Sequence, residues 1–263
     1  MGIYAVTGGT KGIGEKTVEI LRTKGHEVIN IDLAGGDIHA DLGTVEGRDF
    51  AVSQVYKHCP DGLDGLVCNH GIGGLPSHKY SYILSVNYFG AVAIMEGLYE
   101  LLKKRKGSCT ATVSGSIHDA RCGRYYVDGL LNNCGDEARI GRLVDNAKPG
   151  EAVNMPYIMY VSAKIALARW VRRASSSWAA HGVNLNAIAP GGVATTIMQD
   201  FIPPDAETYS YPMPALFNQN RLMAPVEVAQ VLAFLTLPEA KGVNGIIMYC
   251  DAGNSAVMAP DRY

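Results

Sequence analysis

The chain alternates short apolar runs with stretches of helical spacing almost from its first residue. "IYAV" (3–6) is a continuous apolar run closed by glycines, which predicts a buried strand. Residues 12–24 carry Ile13, Val18, Ile20 and Leu21 at mixed helical spacing, with Gly25 as a stop. "HEVINID" (26–32) predicts a second strand and "DIHADL" (37–42) a short third. A helix over 44–58 and a strand over "LDGLVCN" (63–69) follow. A long helical stretch runs from about Tyr80 to Lys106 and stops at Gly107, and "CTATVSG" (109–115) is β-rich. Residues 157–181 predict a helix ended by Gly182. "VNLNAIAP" (183–190) and "GIIMYCD" (245–251) supply the last strands, with a helix over 225–236 between them.

Strands that are nearly all apolar need cover on both faces. Their alternation with helices therefore predicts an α/β fold: a single-domain, Rossmann-type doubly wound parallel sheet of about seven strands. No linker, repeat or low-complexity tract divides residues 1–263, so they read as one dinucleotide-binding and catalytic domain. Two segments break the rhythm, at about 117–154 and 196–224. Both follow carboxyl ends of strands, where such sheets bind ligands. The first is an insertion with a candidate helix at 136–147, placing Ile140, Leu143 and Val144 on one face. The second holds "FIPPDAETYSYPMPALF" (201–217), apolar and proline-rich with only Asp205 and Glu207 charged, which reads as a lid over a substrate or as a rigid surface loop.

Composition narrows the function. The 263 residues are 48% hydrophobic and 18% charged with a net charge of −2, so no basic field attracts nucleic acid or an anionic membrane. No apolar run approaches the roughly 20 residues of a membrane span. The start, "MGIYAVTGGT", has no charged leader. The six cysteines form no C-x-x-C pair and read as reduced thiols of a cytoplasmic protein. The seven histidines show no ligand spacing, so no metal site is expected.

"TGGTKGIG" (7–14) sits between the first strand and the first helix. Glycine there lets the backbone approach a phosphate, and the helix start favours an anion. Asp32, followed by Leu33, ends the second strand, where a carboxylate accepts hydrogen bonds from ribose hydroxyls and repels a 2′-phosphate. Lys11 is the contrary sign, since a cation in the glycine loop could touch that phosphate. The balance predicts NAD over NADP.

Taken together, these motifs make the sequence resemble the short-chain dehydrogenase/reductase family over nearly its whole length. "TGGTKGIG" is similar to the family's T-G-x-x-x-G-x-G loop, which implies cofactor contacts from Gly8, Thr10, Lys11, Gly12, Ile13 and Gly14. "ADL" (40–42) resembles its adenine-contacting segment, with Asp41 and Leu42. "CNHG" (68–71) stands where N-N-A-G is usual; Asn69 and Gly71 fit, while Cys68 and His70 depart. "VNYFG" (86–90) implies Asn87 as the catalytic asparagine, and "VSGS" (113–116) implies Ser116 as the catalytic serine. "YVSAK" (160–164) is the Y-x-x-x-K motif. "APGGVAT" (189–195) implies Pro190, Gly191, Val193 and Thr195 beside the nicotinamide.

Within the family, "LSVNYFGA" (84–91), "DGLV" (64–67), "AVMAP" (256–260) and the 43 residues between Ser116 and Tyr160 resemble the bacterial 3α-hydroxysteroid dehydrogenase/carbonyl reductase branch. That likeness implies an insertion that alters subunit pairing, in a homodimer or homotetramer.

On a helix, Tyr160 and Lys164 are neighbours, about 6 Å apart along the axis. A phenol with a pKa of about 10 is a poor base at neutral pH, and a nearby ammonium is expected to lower it. The resemblance then assigns proton transfer to Tyr160, the nicotinamide ribose and phenol to Lys164, the carbonyl oxygen to Ser116, and a water-holding role to Asn87. Tyr157, two turns from Lys164, reads as pocket wall or helix packing. The expected activity is NAD(H)-dependent interconversion of a secondary alcohol and a ketone on a small apolar cyclic substrate, a hydroxysteroid or bile acid. A 3-oxoacyl or small-carbonyl reductase is the second reading. A non-catalytic dinucleotide sensor is the third.

Overall fold

Seven strands pair in parallel in the order β3-β2-β1-β4-β5-β6-β7. They span Ile3–Thr7 (β1), Glu27–Asp32 (β2), Ile38–His39 (β3), Gly65–Cys68 (β4), Ser108–Thr112 (β5), Asn184–Pro190 (β6) and Ile247–Cys250 (β7). This computed structural model describes residues 1–118, 129–131, 133, 135–147, 155–199, 222–258 and 260–261.

Strand periodicity divides the core into two layers. Tyr4, Val6, Val28 and Val67 face one side with Val18 and Leu21 of helix α1 (Gly12–Thr23) and Val228 and Leu232 of the helix Pro225–Thr236. Ala5, Ile29, Ile31 and Leu66 face the other. There they meet α2 (Val45–His58), the helices between β4 and β5, and the long helix Met155–Ala179. Cover on both faces is why the strands read as unbroken apolar runs.

The chain leaves β1 towards β3, then returns to β4 on the other flank of β1. The crevice therefore opens at the carboxyl ends of β1 and β4, where the direction of winding reverses. Register makes this concrete: Thr7 pairs with both Ile31 and Cys68, so the loops after β1 and β4 emerge side by side.

The long helical stretch expected from Tyr80 to Lys106 is broken. It comprises α3 (Tyr80–Leu84), a widened π-helical segment (Ser85–Gly90), α4 (Ala91–Gly97) and α5 (Tyr99–Arg105). Asn87 supplies a physical reason. Its Nδ2 donates to the Ile83 carbonyl at 2.9 Å, the group its own backbone N–H would take in an α-helix. A competing donor of this kind opens the ladder, and π segments recur at functional sites.

The inserted helix, here α6 (Glu137–Asp145), begins at Asp136, whose Oδ1 accepts the Arg139 N–H at 3.0 Å. It docks through both ends. Buried Arg48 forks onto Glu137 at 2.6 and 2.8 Å, while Ser81 donates its N–H and hydroxyl to Asp145. Ile140 and Val144 face the core, but Leu143 is 57% exposed, so the expected three-residue apolar face is a two-residue one. β3 is also shorter than expected, because the turn through Gly35 and Gly36 leaves only Ile38 and His39 to pair. Further α-helices among the described residues are α7 (Met155–Ala179), α8 (Thr196–Gln199), α9 (Pro225–Thr236) and α10 (Asn254–Met258). The expected lid over 201–217 lies outside the described residues, as does much of the insertion.

Candidate active site

The glycine loop is held by what surrounds it. Gly8 has φ +68°, and a Cβ there would stand 2.8 Å from the His70 Cα. Gly14 packs against the Gly8 carbonyl, which also accepts Asn69 Nδ2 at 3.3 Å. Side chains at Gly8 and Gly14 would therefore spread the two loops apart. No side chain caps the N-terminus of α1, so its first N–H groups are available to an anion. Ile13 is half-buried against the core layer that includes Val18 and Val228, and Thr195 stands over Gly12.

At one end of the crevice, Asp32 Oδ2 accepts the Thr10 N–H at 3.0 Å and its hydroxyl at 2.6 Å, while Oδ1 accepts the Leu33 N–H at 2.7 Å. Leu33 and Lys11 are exposed. Asp41 Oδ1 accepts the Gly43 N–H at 2.8 Å and the Tyr82 hydroxyl at 3.1 Å. Leu42 is buried in the core with its carbonyl on Arg48, so it gives this edge no side chain.

At the other end, Asn69 ties three strands together. Its N–H donates to Thr7 Oγ1 and its Oδ1 accepts the Thr112 hydroxyl at 3.0 Å. A Cβ at Gly71 would lie 2.9 Å from Asn87 Oδ1 and 3.3 Å from Lys164 Nζ, so these two groups border one small space. Asn87 Oδ1 and Nδ2 also exchange hydrogen bonds with the Ile72 N–H and carbonyl. The loop after β6 closes this end: Gly191 donates to the Cys250 carbonyl, and Val193 bridges to Met223. Pro190 ends β6 beside it.

Ser114, two residues before the expected Ser116, is the serine in contact with the phenol. Tyr160 hydrogen-bonds Ser114, and Ser116 lies behind it with its Oγ 2.8 Å from Ser114 Oγ. The short helical turn Gly115–His118 carries Ser116 away from the strand end. Sequence reasoning missed Ser114. The available signal was its place as the first serine beyond β5.

The charge balance also differs from expectation. Burial raises the Tyr160 phenol above its usual pKa, opposed by the Ser114 hydrogen bond. Lys164 Nζ lies 5.9 Å from the phenol ring centre and donates to the Thr112 carbonyl at 3.1 Å. Burial lowers Lys164 itself to about 8, slightly offset by Cys68. The Cys68 thiol is pushed up to about 12 by burial, against opposing effects from Thr7 and Lys164. His70, half-buried with its Nε2 out of contact with water, is lowered to about 3, first by desolvation and then by the charges of Lys164 and Arg48. Among the described residues no cluster of His, Cys, Asp or Glu could hold a metal ion, and the four described cysteines are free thiols.

The residues present suit a dinucleotide: an open helix start, a loop with glycine at Gly8, Gly9, Gly12 and Gly14, and a carboxylate at the end of β2. Comparison with known proteins agrees. A family model described as enoyl-(acyl carrier protein) reductase matches residues 137–255. The chain is 34% identical to the 3-alpha-hydroxysteroid dehydrogenase/carbonyl reductase of Comamonas testosteroni, over the full length of both. It is 29% identical to a coniferyl-alcohol dehydrogenase of a Pseudomonas species, over 94% of each. The crystal structure of a 3-alpha-hydroxysteroid dehydrogenase from Pseudomonas sp. B-0831 complexed with NADH matches with a TM-score of 0.89 and 33% identity. That match covers 99% of this chain and 100% of the other.

Proposed function

Because this chain belongs to the short-chain dehydrogenase/reductase family of oxidoreductases, we propose that it uses NAD(H) to interconvert a ring hydroxyl of a hydroxysteroid or bile acid and the corresponding ketone. The observation that carries the reading is the half-buried Tyr160, its phenol hydrogen-bonded to Ser114 and one helical turn from Lys164.

The bound nicotinamide would supply the hydride acceptor or donor. Tyr160 takes the alcohol proton in oxidation and returns it in reduction. Ser114 already donates to or accepts from that phenol, so it orients the substrate oxygen at the same point and stabilises charge developing there. Ser116 holds Ser114 in place. Lys164 would hold the nicotinamide ribose, and Asn87, across the small space at Gly71, would support a water that links Lys164 to solvent. Gly8 to Gly14 take the pyrophosphate, and Asp32, pre-set by Thr10, takes the adenosine ribose. Pro190 to Thr195 border the nicotinamide. A carboxylate in that position supports NAD over NADP.

We take the protein as a cytoplasmic homodimer or homotetramer. The exposed Tyr249 on the edge strand β7 is consistent with a subunit contact there, which sedimentation would measure. No helix among the described residues is long and apolar enough to cross a membrane.

The test is kcat/KM with NAD and NADP on a 3α-hydroxysteroid, a bile acid and cyclohexanol. Preference for a steroid or bile acid with NAD supports the reading. Equal values, or preference for a polyol or hydroxy acid, would reject it. The second reading is a reductase of 3-oxoacyl or small carbonyl substrates, and the description of the matched family model names an enoyl substrate, so a 3-oxoacyl and a 2-enoyl thioester belong in the same screen.

A further inference from the structure

His70 stands in the loop after β4, between the glycine turn and the widened helix, and its ring is used by none of the steps above. Its partners fix its proton. Thr7 Oγ1 accepts the Asn69 N–H at 3.0 Å and the His70 N–H at 3.2 Å, and it lies 2.7 Å from His70 Nδ1. A hydroxyl accepts two hydrogen bonds and donates one. Both acceptor positions are filled by the backbone, so the Thr7 hydroxyl must donate to Nδ1. Cys68 Sγ, 3.8 Å from Nδ1, is a far weaker competitor, and its own proton is directed to the Ala91 carbonyl. The neutral ring then carries its hydrogen on Nε2.

That Nε2 is buried against Gly90 and has no partner at hydrogen-bond distance and angle, and the Val86 carbonyl acts on it only as a weaker attraction. Val86 lies in the widened segment Ser85–Gly90, one residue before Asn87. Gly90 makes room for the ring, since a Cβ there would stand 3.2 Å from Nε2. The neighbouring carbonyl, Ser85, is likewise taken from outside, by Arg48 at 3.1 Å. Two successive carbonyls of the segment thus face donors from other elements. A helix whose own ladder is disturbed needs such donors to keep one register.

We propose that His70 is a positioning residue for Asn87: locked as the Nε2–H tautomer by Thr7, it holds the Val86 carbonyl and so fixes the widened turn against Lys164. The inference deepens the site reading above and rests on it for the consequence to turnover, though not for the tautomer. His70 joins the end of β1 to the element carrying Asn87 through a single rigid ring, over the space that Gly71 leaves between Asn87 and Lys164.

Two readouts test this. In wild-type protein with ¹⁵N-labelled, resonance-assigned histidines, His70 is expected to show the Nε2–H tautomer and to stay neutral from about pH 6 to 8. The Nδ1–H tautomer, or a protonated ring, would overturn the proposal.

The second readout compares His70→Gln, whose amide nitrogen reaches the place of Nε2, with His70→Asn, whose amide replaces only Nδ1. His70→Asn is expected to lower kcat about tenfold with the dinucleotide KM changed less than about twofold, and His70→Gln to recover most of the loss. Equal behaviour of the two folded variants, or a change confined to KM, would overturn it. Exchange of the Asn87 side-chain amide protons, faster in His70→Asn and restored in His70→Gln, reads the same effect without turnover. If the wild type turned over no alcohol or ketone, the proposed function would fail while the tautomer and exchange measurements still decided the role of His70.

Discussion

The two ends of the crevice are built from opposite materials. At the β2–β3 end, Asp32 and Asp41 are half-exposed carboxylates, each already satisfied by nearby N–H and hydroxyl donors. At the β4–β5 end, Lys164 and His70 are removed from water and pushed towards their neutral forms, and Cys68 and Tyr160 are held protonated. Exposed charge recognises a polar ligand at little cost, because water still solvates it. Buried groups cost stability but hold protons at energies that a small change in surroundings can move. Recognition and proton transfer are thus separated along one cleft.

The widest gap between the ends should appear on removing the phenol. Tyr160→Phe is expected to lower kcat by about 10²–10⁴ while NAD binding, measured by fluorescence titration, stays near wild type. Tyr157→Phe should keep most activity; matching losses in the two variants would erase the distinction. Next, Ser114→Ala should cost about 10²–10³ in kcat, and Ser116→Ala clearly less. The reverse order would return the role to Ser116.

Lys164 sharpens the comparison through stability. Its folded pKa of about 8 lies below the usual lysine value, so the folded state resists its charge. That penalty is fully present below about pH 8 and fades as pH rises towards about 10.4, where the unfolded lysine also loses its proton. Lys164→Met should therefore be more stable than wild type at pH 7, by up to about 3 kcal/mol, with the advantage shrinking above pH 8. Paired denaturant titrations across pH would check this, and a constant difference would contradict the buried, depressed amine. At the recognition end, Asp32→Ala should weaken NAD by about 1.5–3 kcal/mol and relax discrimination against NADP, with kcat at saturation little changed. Wild-type preference for NADP would shift the weight to Lys11.

Much of this was legible in sequence. Continuous apolar strands, the glycine turn after β1 and the four-residue spacing of Tyr160 and Lys164 each follow from local periodicity, and all stand where expected. What was not legible depends on contacts between distant segments. Ser114 and Ser116 are two residues apart on a turn whose direction is set by packing, so spacing could not choose between them. The break near Asn87 hides in a stretch that is apolar all round, where no periodic face marks a change of pitch. Leu143 has the right spacing for the core, but α6 is docked by Arg48 and Ser81 in an orientation that turns it to solvent. Burial of the phenol, which raises its pKa in the chain alone, is likewise a product of packing that spacing does not reveal.

The Arg48 guanidinium has a further consequence. One side chain gathers the Leu42 and Gly43 carbonyls, the Ser85 carbonyl and the Glu137 carboxylate. It therefore joins the loop after β3, the widened turn and the inserted helix into one cooperative unit. Hydrogen exchange should find the amides of α6 opening together with those around Asn87, rather than fraying alone as a peripheral addition would.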